Sequence, residues 1–177
     1  MFDFGNGPVP ARQHVNGGGW VADTAYVDQT AYVGPEARVY DQARVYDQAR
    51  VYDQARVYGQ AWIFGHVHIC GGTHVYGGAR VLDQARVFGG AQVYGDAHVY
   101  GHARALGHAR VYGQARISGQ AWVYDHAHVY GHARVYGHAR VYGGVWRGSA
   151  EIDGCERVDA SSGISLEEEF FSRIGGS

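Results

Sequence analysis

The sequence predicts an all-β rod: a parallel coil of six-residue strand-and-turn units, three units to a coil. Three observations lead there. Val or Ile recurs at every sixth residue between positions 9 and 141, with Ala105 the one exception. Most units read as Ala43-Arg44-Val45-Tyr46-Asp47-Gln48 does, and this alternation puts Ala and Val on one side of a short strand and Arg and Tyr on the other. Gly or Asp followed by a polar residue then closes each unit with a turn.

The elements follow in order. A six-residue unit is too short for a hairpin sheet that buries every Val, but three of them close a coil, with Val inside and Ala at the tight corners. The period is unbroken over residues 7–144. It makes about seven to eight coils, a rod about 35–40 Å long at the ~4.8 Å strand spacing. Residues 1–6 are expected to cap the N-terminal end, with Phe2 and Phe4 as plugs, because open coil ends expose unpaired strand edges. After Val145-Trp146-Arg147-Gly148-Ser149 the phase slips by one, near 145–149. Units 150–155 and 156–161 then resume with Ile152 and Val158 as core residues, so the β-helix domain is read as 7–161. In segment 162–177, Ser165-Leu166-Glu167-Glu168 is a capping box opening a short helix. Leu166, Phe170, Phe171 and Ile174 make its apolar stripe. That helix reads as a cap on the last coil or as a docking peptide for a protein partner.

The spacing of an aliphatic residue and a small one four positions later, as in Val39-Tyr40-Asp41-Gln42-Ala43, resembles the hexapeptide-repeat family of left-handed parallel β-helices. The likeness covers about four-fifths of the chain and implies a triangular solenoid; Tyr just after the aliphatic position is a departure from the family's small residue. Gly18-Gly19-Trp20-Val21, with units such as Ala91-Gln92-Val93-Tyr94-Gly95-Asp96-Ala97, is similar to a bacterial and phage group usually labelled as transferases or hypothetical proteins. That label derives from the fold, which does not define a reaction.

Composition excludes several classes. The net charge of −2 divides between a mildly basic repeat body and an acidic tail, too weak a field to argue for nucleic acid or a membrane surface. All fifteen cations are Arg, a side chain that stacks on aromatic faces and suits a surface alternating with Tyr. No apolar run reaches the length of a membrane span, and the start lacks a signal peptide's charged and apolar regions. The chain reads as cytoplasmic or virion-associated. Cys70 and Cys155 would lie about 24 Å apart along the rod at strand spacing, beyond disulfide reach, which fits a reducing compartment.

Folding the sequence at eighteen residues sorts the outward positions into rows. Tyr40, Tyr58, Tyr76, Tyr94, Tyr112 and Tyr130 form an unbroken ladder on the first face. It reads as strand-favouring aromatics stacking on one another, or as a sugar- or polymer-binding face. On the other two faces Phe64, Cys70, Leu82, Phe88 and Leu106 replace Tyr in the middle coils, near the Gly-Gly turns 71–72, 77–78 and 89–90. An apolar patch on a soluble rod marks an interface, so self-association is expected there; the family likeness implies a homo-oligomer, with a trimer favoured. Of the eleven His, five precede a core aliphatic and six occupy the second turn position, a slot shared with Gln, Asp and Gly. Only His108 and His126, eighteen apart, make a weak metal candidate. Hexapeptide-repeat carbonic anhydrases hold zinc through three His, two of them five residues apart, and no two His here have that spacing.

These readings favour a non-enzymatic structural or binding rod, of phage derivation by its closest likeness, without cofactor. The alternative is a hexapeptide-type acyltransferase with an intersubunit site. Against it, no insertion interrupts residues 7–144 to project a loop, and no Ser/His/Asp or phosphate-loop constellation is present. Ice binding, which needs regular Thr rows, is set aside because Thr24, Thr30 and Thr73 make none.

Overall fold

Each repeat unit forms a two- to four-residue strand, and strands three units apart pair in parallel. The computed structural model describes residues 1–154 and the backbone of the strand Arg157–Asp159. Within these residues the chain is an all-β parallel solenoid with three sheets, each carrying eight parallel strands. The register is eighteen: Val57 sits between Val39 and Val75, Ile63 between Val45 and Val81, and Ile69 between Val51 and Val87. The core Val and Ile side chains from Val33 to Val141 and the corner Ala residues from Ala31 to Ala139 have no exposed surface. Ala105, the exception in the Val row, is buried in the same column between Val87 and Val123. Stability of such a stack is carried mainly by each coil's contact with the next.

The turns explain why Gly and Asp share a slot. The first turn residue adopts a left-handed backbone, as at Asp41 (φ 59°), Asp53 (φ 54°) and Gly59 (φ 69°). Gly enters this region without strain, and Asp tolerates it because its short carboxylate finds a local donor. Asp41, Asp53 and Asp83 each accept the amide of the Gly one coil above, at 3.1, 3.2 and 2.9 Å. A Cβ on Gly59 would stand 2.9 Å from the backbone of Gly77, so Gly is also the residue that fits in the tightest stacks.

The N-terminal end departs from the repeat. β1 (Phe2–Asp3) pairs with β2 (Pro8–Val9), and β3 (Ala11–Gln13) runs antiparallel to β4 (Trp20–Ala22), the first strand of the coil stack. Val9 and Val15 keep the six-residue phase but lie outside the core, and Val15 is 83% exposed. Phe2 and Phe4 do not plug the interior. Phe4 lies outside the first sheet, stacked 4.9 Å from the Tyr40 ring in the space left by small Ala22 in the same row, and Phe2 stacks 4.4 Å from Trp20. The open end is covered by the segment between β3 and β4. His14, buried rather than outward, binds the Asp28 carbonyl through Nε2 at 3.1 Å, and Asn16 Nδ2 donates to the Ala31 carbonyl at 3.0 Å. Gly19 N–H and the Asn16 carbonyl bond both backbone groups of Val33. Exposed edges are thereby paired, as a solenoid end requires.

At the other end the slip falls earlier than 145–149. Gly144 takes the corner position, its carbonyl accepting His128 N–H as Ala127 accepts Arg110. Trp146 therefore enters the core opposite Val129 at 5% exposure, while Val145 turns outward at 61%. Ile152 is buried and Val158 pairs with Val141. Cys155 and the expected helix of segment 162–177 lie outside the described residues.

Candidate functional site

The six ladder tyrosines are brought together as a continuous stack. Successive rings have centroids 4.7–4.9 Å apart and planes within 2–7°. Each ring face covers its neighbour, so the ladder presents ring edges and a row of hydroxyls. Burial raises the phenols of Tyr40, Tyr76, Tyr94 and Tyr112 above their ordinary value of 10.0 and pushes Tyr58 up to about 12; for Tyr58 the neighbouring Tyr40 and Tyr76 add to the rise.

The five apolar replacements are divided between two sheets. Phe64 and Leu82 pair on the second sheet; Cys70, Phe88 and Leu106 follow the core strands of the third. Phe64 is 49% exposed and its neighbour Trp62 42%, with Tyr26 a coil or two below. Here rings are tilted rather than stacked: Tyr46 lies 6.3 Å from Trp62 and 6.4 Å from Phe64 at 56–58°. Arg44 and Arg80, the Trp62 neighbours on either side, place their guanidiniums 5.2 and 5.8 Å from its ring. On the third sheet Cys70 is half-buried, and Tyr52 is pushed up to about 12, first by a hydrogen bond with the Cys70 side chain and then by burial.

A polar groove of about 360 Å³ runs along the corner between these two sheets, lined by His66, His68, Gln84, Arg86, His102 and Arg104. None of these six was singled out from the sequence as a site, because the groove exists only where the turn column of one sheet meets the outward column of the next. Burial lowers His68, and the charges of Arg86 and Arg50 lower it further. A second groove of about 430 Å³, at the N-terminal corner, contains Glu36 among its lining residues.

His108 and His126 do stack, with ring centroids 5.3 Å apart. Among the described residues no group of three or more His, Cys, Asp or Glu is placed to hold a metal, and no helix is long and apolar enough to cross a membrane.

Three parallel sheets, an eighteen-residue register and an inward Val column define a β-solenoid repeat protein. A family model described as the YdcK beta solenoid repeat matches residues 133–149, a stretch that includes the buried core residues Ala133, Val135, Ala139, Val141 and Trp146 and the Gly143-Gly144 slip. No curated protein and no solved structure matches the chain.

Proposed function

We propose that this chain is a non-enzymatic structural or binding rod that self-associates through its second sheet. The observation that carries the reading is the exposure of Trp62 and Phe64, in a molecule whose other long aromatic row covers itself. Burying Phe64, Leu82 and the free edge of Trp62 against a second copy would remove apolar surface worth about 25 cal/mol per Å², with Tyr26 and Tyr46 extending the contact. The patch is on one sheet, so Cys70, Phe88 and Leu106 form a separate, secondary surface. A trimer follows from the hexapeptide-repeat likeness, as does left-handed winding, and the Gly18-Gly19-Trp20-Val21 lead supports a phage or bacterial derivation. A sheet so regular is a spacer: it fixes distances along its axis and needs no moving part.

The test is light scattering at micromolar concentration on the wild-type chain and on Phe64→Ser. The wild type is expected to be oligomeric and the variant to move toward the monomer with its strand content intact. A strictly monomeric wild type overturns the self-association reading.

A further inference from the structure

We infer that the corner groove between the second and third sheets binds a linear acidic polysaccharide, laid along the rod axis. The argument begins with the two columns that build the groove. Thr30, Gln48, His66, Gln84, His102, Gln120 and His138 occupy the turn column, and Tyr32, Arg50, His68, Arg86, Arg104, Trp122 and Arg140 the outward column of the third sheet. Neither contains a carboxylate. The other two corners do: Glu36 lines one, and on the other Asp96 joins Glu151, which pairs with Arg134 at 3.3 Å. Asp83, beside Gln84, accepts the Gly101 amide. Among the described residues the ion pairs are Arg12 with Asp23 and Arg134 with Glu151, so Arg86 and Arg104 line the groove without a carboxylate partner.

The rest of the lining selects the polymer. Arg86 and Arg104, one coil apart, offer paired donors to carboxylate or sulfate about 4.8 Å from one another. Beside them stand the Gln84 amide and the His68 ring, which in its neutral form donates and accepts as the amide does. Sugar hydroxyls answer both roles; a polyphosphate chain offers only acceptors. Single-stranded nucleic acid needs free aromatic faces on which bases stack. Among the described residues no aromatic side chain other than His lines the groove, and Trp122, one coil above Arg104, has both neighbours' guanidiniums on its ring, Arg104 at 4.4 Å and Arg140 at 5.6 Å. The groove does not depend on self-association: a rod that is monomeric in light scattering still carries it.

The experiment measures binding of fluorescently labelled polygalacturonate and dextran sulfate to the full chain, with neutral dextran, polyphosphate and an oligo(dT) strand alongside. Polygalacturonate or dextran sulfate is expected to bind and neutral dextran not. The double variant Arg86→Gln/Arg104→Gln should weaken binding about tenfold or more, from the loss of two charge-assisted contacts. Arg110→Gln/Arg116→Gln, an equal charge change at exposed positions of the other sheets, should leave it nearly unchanged. Equal losses in the two pairs, no binding of either acidic polysaccharide, or binding of polyphosphate or oligo(dT) as tight as theirs overturns the proposal.

Discussion

The first and second sheets share a repeat, a Val core and a register, yet their outer surfaces behave differently. On the first, Tyr follows Tyr for six coils, and the strand spacing falls among the centroid distances of offset-stacked rings. Rings lie flat on one another and leave little face uncovered. On the second, Tyr46 is followed by Phe64 and Leu82, and the outward neighbour Arg44 by Trp62. Rings of unlike size cannot continue the stack; they tilt, and Phe64 and Trp62 are left half in solvent. The perfect row covers its own rings, and the interrupted row leaves the aromatic surface on which the proposed self-association rests.

The largest effect that can break this contrast is ionisation of the ladder. The shifted phenols are raised in the folded state, so their contribution to stability is complete below the unfolded value of 10.0 and lost as pH climbs through the folded values, about 12 at Tyr58. Phenolate absorbance should lag that of free tyrosine, and strand circular dichroism should collapse between pH 10 and 12. Ionisation of all tyrosines at the free value with the strands intact would mean the stack contributes nothing. Next in size, Tyr76→Ala removes two stacked contacts of about 0.5–1.5 kcal/mol each, so chemical denaturation should report a loss of about 1–3 kcal/mol. Phe64→Ala, tilted and half exposed, should cost the monomer less than about 1 kcal/mol.

The core and the ladder were legible in the sequence because a period of six folded three times fixes every neighbour: Tyr58 must stand over Tyr40 if Val57 stands over Val39. The N-terminal segment was not, since alternation at Val9 and Val15 fits a hairpin strand as well as a coil. Pro8, Pro10 and the run Gly17-Gly18-Gly19 carried the signal for reversal, being residues that interrupt a ladder and then turn sharply. The slip was misplaced by the same reasoning: Gly144 is small enough to serve as a corner, which brings the next unit forward by one and puts Trp146 inside. The groove was hidden for another reason. It joins His66 to His68 and Arg86 to Gln84 across a corner, a relation that a row-by-row reading of each face never forms.

Acid sharpens the comparison by acting on all three sheets alike. His68, His74 and His98 stand one on each sheet, and all three are lowered from 6.5, first by burial and then by neighbouring Arg. A lowered basic group contributes stability above the unfolded value and loses it as pH falls through that value, so the melting temperature should drop by about a few degrees between pH 7 and 5. Wild type, Tyr76→Ala and Phe64→Ala should lose the same increment. A larger loss in Tyr76→Ala would place His74, whose ring stands edge-on to Tyr58 at 6.1 Å, inside the ladder's energetics.

The smallest change asks which part of tyrosine the ladder uses. Tyr76→Phe keeps the ring and its stacking and removes only the hydroxyl, for which no side-chain hydrogen bond is seen among the described residues, so stability should stay within about 0.5 kcal/mol of wild type. If the loss instead approaches that of Tyr76→Ala, the row is held by its hydroxyls, and the first sheet is a polar surface built for contact. In that event the division of labour between a self-covered sheet and an open one fails, and the Tyr40 to Tyr130 row becomes the face to test against ligands.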